Sequence, residues 1–63
     1  ELRFRTWVDK NERFSIEAIY DGYEKGHVWL KKRDGKRLKI AVNQLSEGDR
    51  DYAESTAKAQ GDL

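Results

Sequence analysis

The feature that most constrains this chain is the alternation of apolar and other residues on either side of Arg33-Asp34-Gly35. Val28 and Leu30 before the triplet, and Leu38, Ile40 and Val42 after it, fall on every second position, as in half-buried strands. The triplet itself has the form of a three-residue hairpin loop, a type I turn closed by Gly35 in the left-handed conformation. That loop sets the pairing: Lys32 with Lys36, Lys31 with Arg37, Leu30 with Leu38, Trp29 with Lys39 and Val28 with Ile40. A slip of one residue would turn the apolar set to solvent, so burial selects this register.

Two earlier stretches carry the same period. In residues 3 to 8, Phe4, Thr6 and Val8 are expected to point inward, with Arg3, Arg5 and Trp7 on the other face. Asp9-Lys10-Asn11-Glu12 then reads as a turn. In the next stretch Phe14, Ile16, Ala18 and Tyr20 share one face, and Ser15, Glu17 and Ile19 share the other. Asp21-Gly22 and Gly26 bracket the following connection, and a hairpin there pairs Ile19 with Trp29 and Glu17 with Lys31. Ser46, with Asp49 three residues later, is the pattern that opens a helix, here a short one continuing at most over residues 49 to 57, with Tyr52 docking back. Residues 55 to 63 are expected to be a partly disordered tail. Four short strands and a final helical turn at this length define an all-β expectation, a small twisted barrel of the Src-homology-3 kind spanning residues 1 to 54.

A chain of 63 residues makes one domain and buries only about 60% of its unfolded surface, too little for an enclosed active site. Cysteine is absent, which removes disulfides and Cys-containing zinc sites, and the single His27 cannot hold a metal. No nucleophile has a base near it and no glycine-rich phosphate loop occurs, so neither catalysis nor a cofactor is expected. Apolar runs reach two or three residues, far short of a membrane span or signal core. Because the chain opens on Glu1, it is read as a domain of a longer protein, expected to be a monomer in isolation.

The net charge of +1 hides an uneven distribution. Residues 25 to 39 carry seven basic side chains against Asp34 alone, and the remainder carries six basic against eleven acidic. In the hairpin, Lys31 lies opposite Arg37 on the outer face, and Lys39 lies beside Trp29. Like charges facing across a strand pair destabilise it, so an anionic partner gives the arrangement a reason. Two adjacent cations suit one carboxylate, and an Ile19-Trp29 patch beside them suits a large apolar residue of a short peptide. The plainer reading is a solvated edge that resists aggregation. Tyr20, Tyr23 and Tyr52 also raise the idea of an aromatic cage for a methylated lysine.

The series Arg5-x-Trp7-x-Asp9, Phe14-x-Ile16-x-Ala18, Gly26-x-Val28-x-Leu30-x-Lys32, Asp34-Gly35-Lys36 and Leu45-Ser46-x-x-Asp49-x-x-Tyr52 resembles Sla homology domain one across residues 3 to 52. The resemblance implies a Src-homology-3-like fold and recognition of the internalisation signal Asn-Pro-Phe-x-Asp in cytosolic tails of membrane proteins. It further implies a cargo adaptor for clathrin-mediated endocytosis, in the cytoplasm at the cell cortex and endocytic sites, with membrane association only through cargo. Two basic residues linked in that family to the signal's acid correspond here to Lys31 and Arg37. Departures from the pattern are Asn11-Glu12, where glycine is common, and Ala53, where an apolar residue is usual, which bears on the docking of the last turn. A competing expectation is a small barrel that binds single-stranded nucleic acid through the same basic hairpin. Against it stands the acidic remainder of the chain. A third is a scaffold role, with the strip meeting an acidic segment of the parent protein.

Overall fold

The computed structural model describes residues 2–63; residue 1, the first of the expected domain, lies outside them. Strands β1 (Arg5–Val8), β2 (Ser15–Glu24), β3 (His27–Lys32) and β4 (Arg37–Ala41) form one antiparallel sheet in chain order. A 3-10 turn at Val42–Gln44 leads into α1 (Glu47–Gln60). The sheet closes on itself through a bridge between Asp9 and Leu45. Flanking bonds from Lys10 N to Gln44 O (2.9 Å) and from Ser46 N to Val8 O (2.8 Å) complete the seam, giving the small Src-homology-3-like β fold.

The β3–β4 hairpin has the pairing that the alternation dictates, from Lys31 opposite Arg37 to Val28 opposite Ile40. Gly35 has φ 89°, where a glycine avoids the strain a side chain would bring.

On β1 the expected facing is reversed. Trp7 is only 1% exposed and Thr6 is exposed, so Arg5 and Trp7 form the inner face. Burying an indole outweighs burying Thr6 and Val8, and the Trp7 Nε1–H is satisfied by Ala18 O at 3.0 Å. Arg5 follows Trp7 inward because its guanidinium finds partners there. It stacks 4.8 Å from the Trp7 ring and 4.2 Å from the Tyr52 ring, and meets Asp49 Oδ1 at 2.9 Å.

Phe14 is a second reversal, 76% exposed although grouped by period with the buried Ala18 and Tyr20. It lies in the loop before β2, where the Asp9 carboxylate accepts from the N–H groups of Arg13 (2.7 Å) and Phe14 (3.0 Å). The phase of β2 therefore starts at Ser15, opposite Val8. These backbone bonds also hold the Asp9 carboxyl below its usual pKa.

Helix α1 is longer than the sequence suggests. Ser46 caps it by accepting from Asp49 N at 3.3 Å, and Gly61 ends it in the left-handed conformation at φ 78°. Between the caps, Ala53 and Ala57 are fully buried against the sheet. Small side chains at these positions let the helix axis approach closely, so Ala53 completes the docking rather than weakening it. Residues 55 to 60 are helical instead of a frayed tail, and beyond them Tyr20 OH donates to Asp62 Oδ2 at 2.7 Å.

Two outcomes follow from these contacts. Asp49 is 6% exposed, receives Val8 N at 2.6 Å and holds Arg5, so Asp49→Ala strands a part-buried N–H and a half-buried cation. Urea unfolding should show a loss of about 2–3 kcal/mol, a large share of the roughly 3 to 9 kcal/mol that a domain this size holds. Burial, and then Asp62, push the Tyr20 hydroxyl well above the usual phenol pKa. Its contribution is therefore complete below pH of about 10 and declines as pH rises toward the higher folded value. Wild type should exceed Tyr20→Phe by about 1 kcal/mol at pH 8, with the gap narrowing above pH 10; a constant gap would contradict the assignment.

Candidate functional site

The outer face of β2, β3 and β4 carries the basic strip. Ile19, Lys31 and Arg37 are consecutive across the three strands, and Gly22, Trp29 and Lys39 form the next row. Strand spacing of about 4.8 Å makes neighbours of the side chains in a row. Lys31 and Arg37 thus project side by side, as the turn geometry requires.

The β2–β3 register differs from expectation by two residues. Ile19 faces Lys31 rather than Trp29, and Ala18, not Ile16, faces Lys32. The physical cause is the turn: Lys25 and Gly26 both have positive φ, 48° and 77°, which makes a two-residue hairpin loop directly after Glu24. Strand β2 consequently runs through Asp21-Gly22 instead of ending there. The pairing jumps from Tyr20 opposite Leu30 to Gly22 opposite Trp29, leaving Asp21 as the extra residue of a β-bulge. Ile19 and Trp29 remain on the same face without being a direct pair.

The bulge builds much of the site. Gly22 has φ 147°, and a Cβ there would sit 3.7 Å from Trp29 Cδ1, so the indole lies against bare backbone. Arg37 stacks over the Trp29 ring, 4.5 Å from its centroid, with Lys39 Nζ at 5.6 Å. The bulged Asp21 accepts from Arg37 Nε. Glu24 accepts from Trp29 Nε1 at 3.4 Å and pairs with Lys39 at 3.9 Å. At the far end Glu17 binds Arg33 at 2.6 Å, and Arg33 lies 4.3 Å over the Phe4 ring. This bond and the guanidinium charge hold the Glu17 carboxyl below its usual pKa.

The strip is therefore not a plain cationic surface. Carboxylates at Glu17, Asp21 and Glu24 of β2 answer Arg33, Arg37 and Lys39, and among the described residues Lys31 makes no ion pair. Sequence reasoning missed Asp21, Gly22 and Glu24. The available signal was Gly22 inside a strand-like run, which often marks a bulge.

The tyrosines do not form a cage. Tyr20 is buried and bonded to Asp62, while Tyr23 and Tyr52 pack on the core, Tyr52 edge-on to Trp7 at 5.4 Å. His27 contacts only its own turn in the hydrogen-bond network, Nδ1 lying 3.1 Å from Lys25 O. A separate apolar cleft of about 140 Å³ between Trp7, Ile16, Ile40 and Leu45, with Phe14 also lining it, shares no residue with the strip. Among the described residues no helix is long and apolar enough to cross a membrane.

A twisted sheet closed by a bridge, sealed by a terminal helix and bearing an outer strip of stacked aromatic and basic residues, defines a small Src-homology-3-like domain. The chain belongs to the SLA1 homology domain 1 family, whose model matches residues 1–60. It is 36% identical over 82% of its length to the actin cytoskeleton-regulatory complex protein SLA1 of Candida albicans, of which it covers 4%. It is 36% identical over 79% of its length to the protein of the same name from Vanderwaltozyma polyspora, again covering 4% of that protein. With the Schizosaccharomyces pombe counterpart the identity is 33% over 82% of this chain and 4% of the relative.

Gly22→Ala should strain the bulge, because φ 147° disfavours a side chain, and should set a methyl group in contact with the indole at 3.7 Å. Stability should fall by about 1–2 kcal/mol, and the Trp29 indole N–H resonance should move. An unmoved resonance would show that the ring does not rest on this glycine.

Proposed function

We propose that this domain is a non-catalytic peptide-reading module of an endocytic adaptor. Its ligand is the Asn-Pro-Phe-x-Asp internalisation signal in cytosolic tails of membrane proteins, and its setting is the clathrin-coated sites of the cell cortex. The observation that carries the reading is Lys31 paired directly opposite Arg37 on an exposed sheet face. Lys31 offers a point charge and Arg37 a planar fork, together enough to grip one carboxylate, the Asp of the signal. Trp29 and Ile19, on the same face, contact the Phe, and Lys39 flanks the indole. Family membership supports the same assignment, since the relatives are named for actin cytoskeleton regulation.

The carboxylates set among the cations weigh against nucleic-acid binding. A phosphate backbone would have to pass Glu17, Asp21 and Glu24, each of which repels it.

Calorimetric titration with an Asn-Pro-Phe-x-Asp peptide tests the proposal. Binding should be micromolar, and Lys31→Ala or Arg37→Ala should each weaken it roughly 5- to 30-fold, about 1–2 kcal/mol. Replacing the peptide's Asp by Ala should cost as much in wild type and little in either variant. Equal affinity for both peptides in wild type would reject the roles of Lys31 and Arg37.

A further inference from the structure

In the free domain Arg37 already holds a carboxylate. Asp21 shares the outer face with Ile19, one residue past the buried Tyr20, and meets Arg37 from the β-bulge opposite Trp29. We propose that Asp21 is a built-in competitor: it occupies on Arg37 the place of a ligand's carboxylate, so that the site opens by exchange and discriminates against acids that have no further contact on the strip. This inference rests on the peptide-binding reading of the same strip.

Three observations carry it. Asp21 takes the Nε edge of the guanidinium while Trp29 covers its face, which leaves an incoming acid only the remaining Nη groups unless Asp21 departs. Both partners are open to water, with side chains 51% exposed at Arg37 and 34% at Asp21, and exposed ion pairs of this kind are weak enough to exchange. Lys31, opposite Arg37 and without an ion pair among the described residues, is not engaged by Asp21. A ligand carboxylate that spans Lys31 and Arg37 gains two cations where Asp21 holds one, and that difference drives the exchange. An acid lacking an apolar neighbour to rest on Trp29 gains too little to displace it. Specificity for an acid joined to a large apolar residue thus arises from the internal carboxylate as much as from the cations.

The test compares wild type with Asp21→Asn and Asp21→Ala in the intact domain, using both the peptide and inorganic phosphate as probes. Both variants should bind the Asn-Pro-Phe-x-Asp peptide about three- to tenfold more tightly, as expected when one nearby negative charge is removed. Affinity for the peptide with Asp replaced by Ala should not change. Phosphate should give saturable shifts of the Arg37 Nε–H resonance in the variants at concentrations where wild type shows none, a readout independent of any peptide. Weaker peptide binding in both variants, or unaltered phosphate response, would overturn the proposal and make Asp21 a residue that positions Arg37. If the peptide fails to bind wild type but phosphate separates wild type from variants, the competitor role stands and the ligand assignment falls.

Discussion

The fold depends on one carboxylate. Asp49 sits in the first turn of α1, where the helix N-terminus favours negative charge, and its two oxygens bind different parts of β1. One receives the Val8 N–H, and the other the Arg5 guanidinium. Without these bonds the first strand would have an orphan donor and a cation facing the core. With them the helix is anchored to the edge strand, Tyr52 is brought edge-on to Trp7, and Arg5 is held against both rings. So small a core has few ways to hold two layers together, and a charged group bonded at both oxygens does it with directional precision that Ala53 and Ala57 alone lack.

That inner arrangement frees the outer face. Because α1 packs Ala53 and Ala57 into the core on the inner side of the sheet, the outer side of β2, β3 and β4 is left to Ile19, Trp29 and the charged side chains around them. There the bulge sets a glycine opposite Trp29, directly after Asp21, the carboxylate that meets Arg37. The result is a surface on which Arg33, Arg37 and Lys39 are ordered by stacking and ion pairing, while Lys31 beside them makes no ion pair among the described residues.

Comparison of particular elements shows why some of this was legible in sequence. The β3–β4 pairing was readable because a three-residue loop with glycine at its end permits one register, and apolar alternation on both strands agrees with it. The Ser46 cap was readable for a similarly local reason. The face of β1 was not, since both phases of Phe4-Arg5-Thr6-Trp7-Val8 contain apolar residues, and only the presence of Asp49 and Tyr52 decides which phase turns inward. Helix length was obscured for a comparable reason: small residues are weak hydrophobic signals, and their value lies in close approach to a sheet that sequence alone does not display.

What the sequence determined by itself is therefore local: strand period, the Arg33-Asp34-Gly35 turn, and with it the adjacency of Lys31 and Arg37. Tertiary structure alone decided which charges meet. Glu17, Asp21 and Glu24 are 16, 16 and 15 positions in sequence from Arg33, Arg37 and Lys39, and their pairing requires β2 to cross beside β3 with one residue bulged out. A charge count along the chain sees a basic segment, whereas the folded sheet interleaves it with acids. The reason is physical: strand partners are set by turns and bulges, and a single inserted residue redirects every contact beyond it.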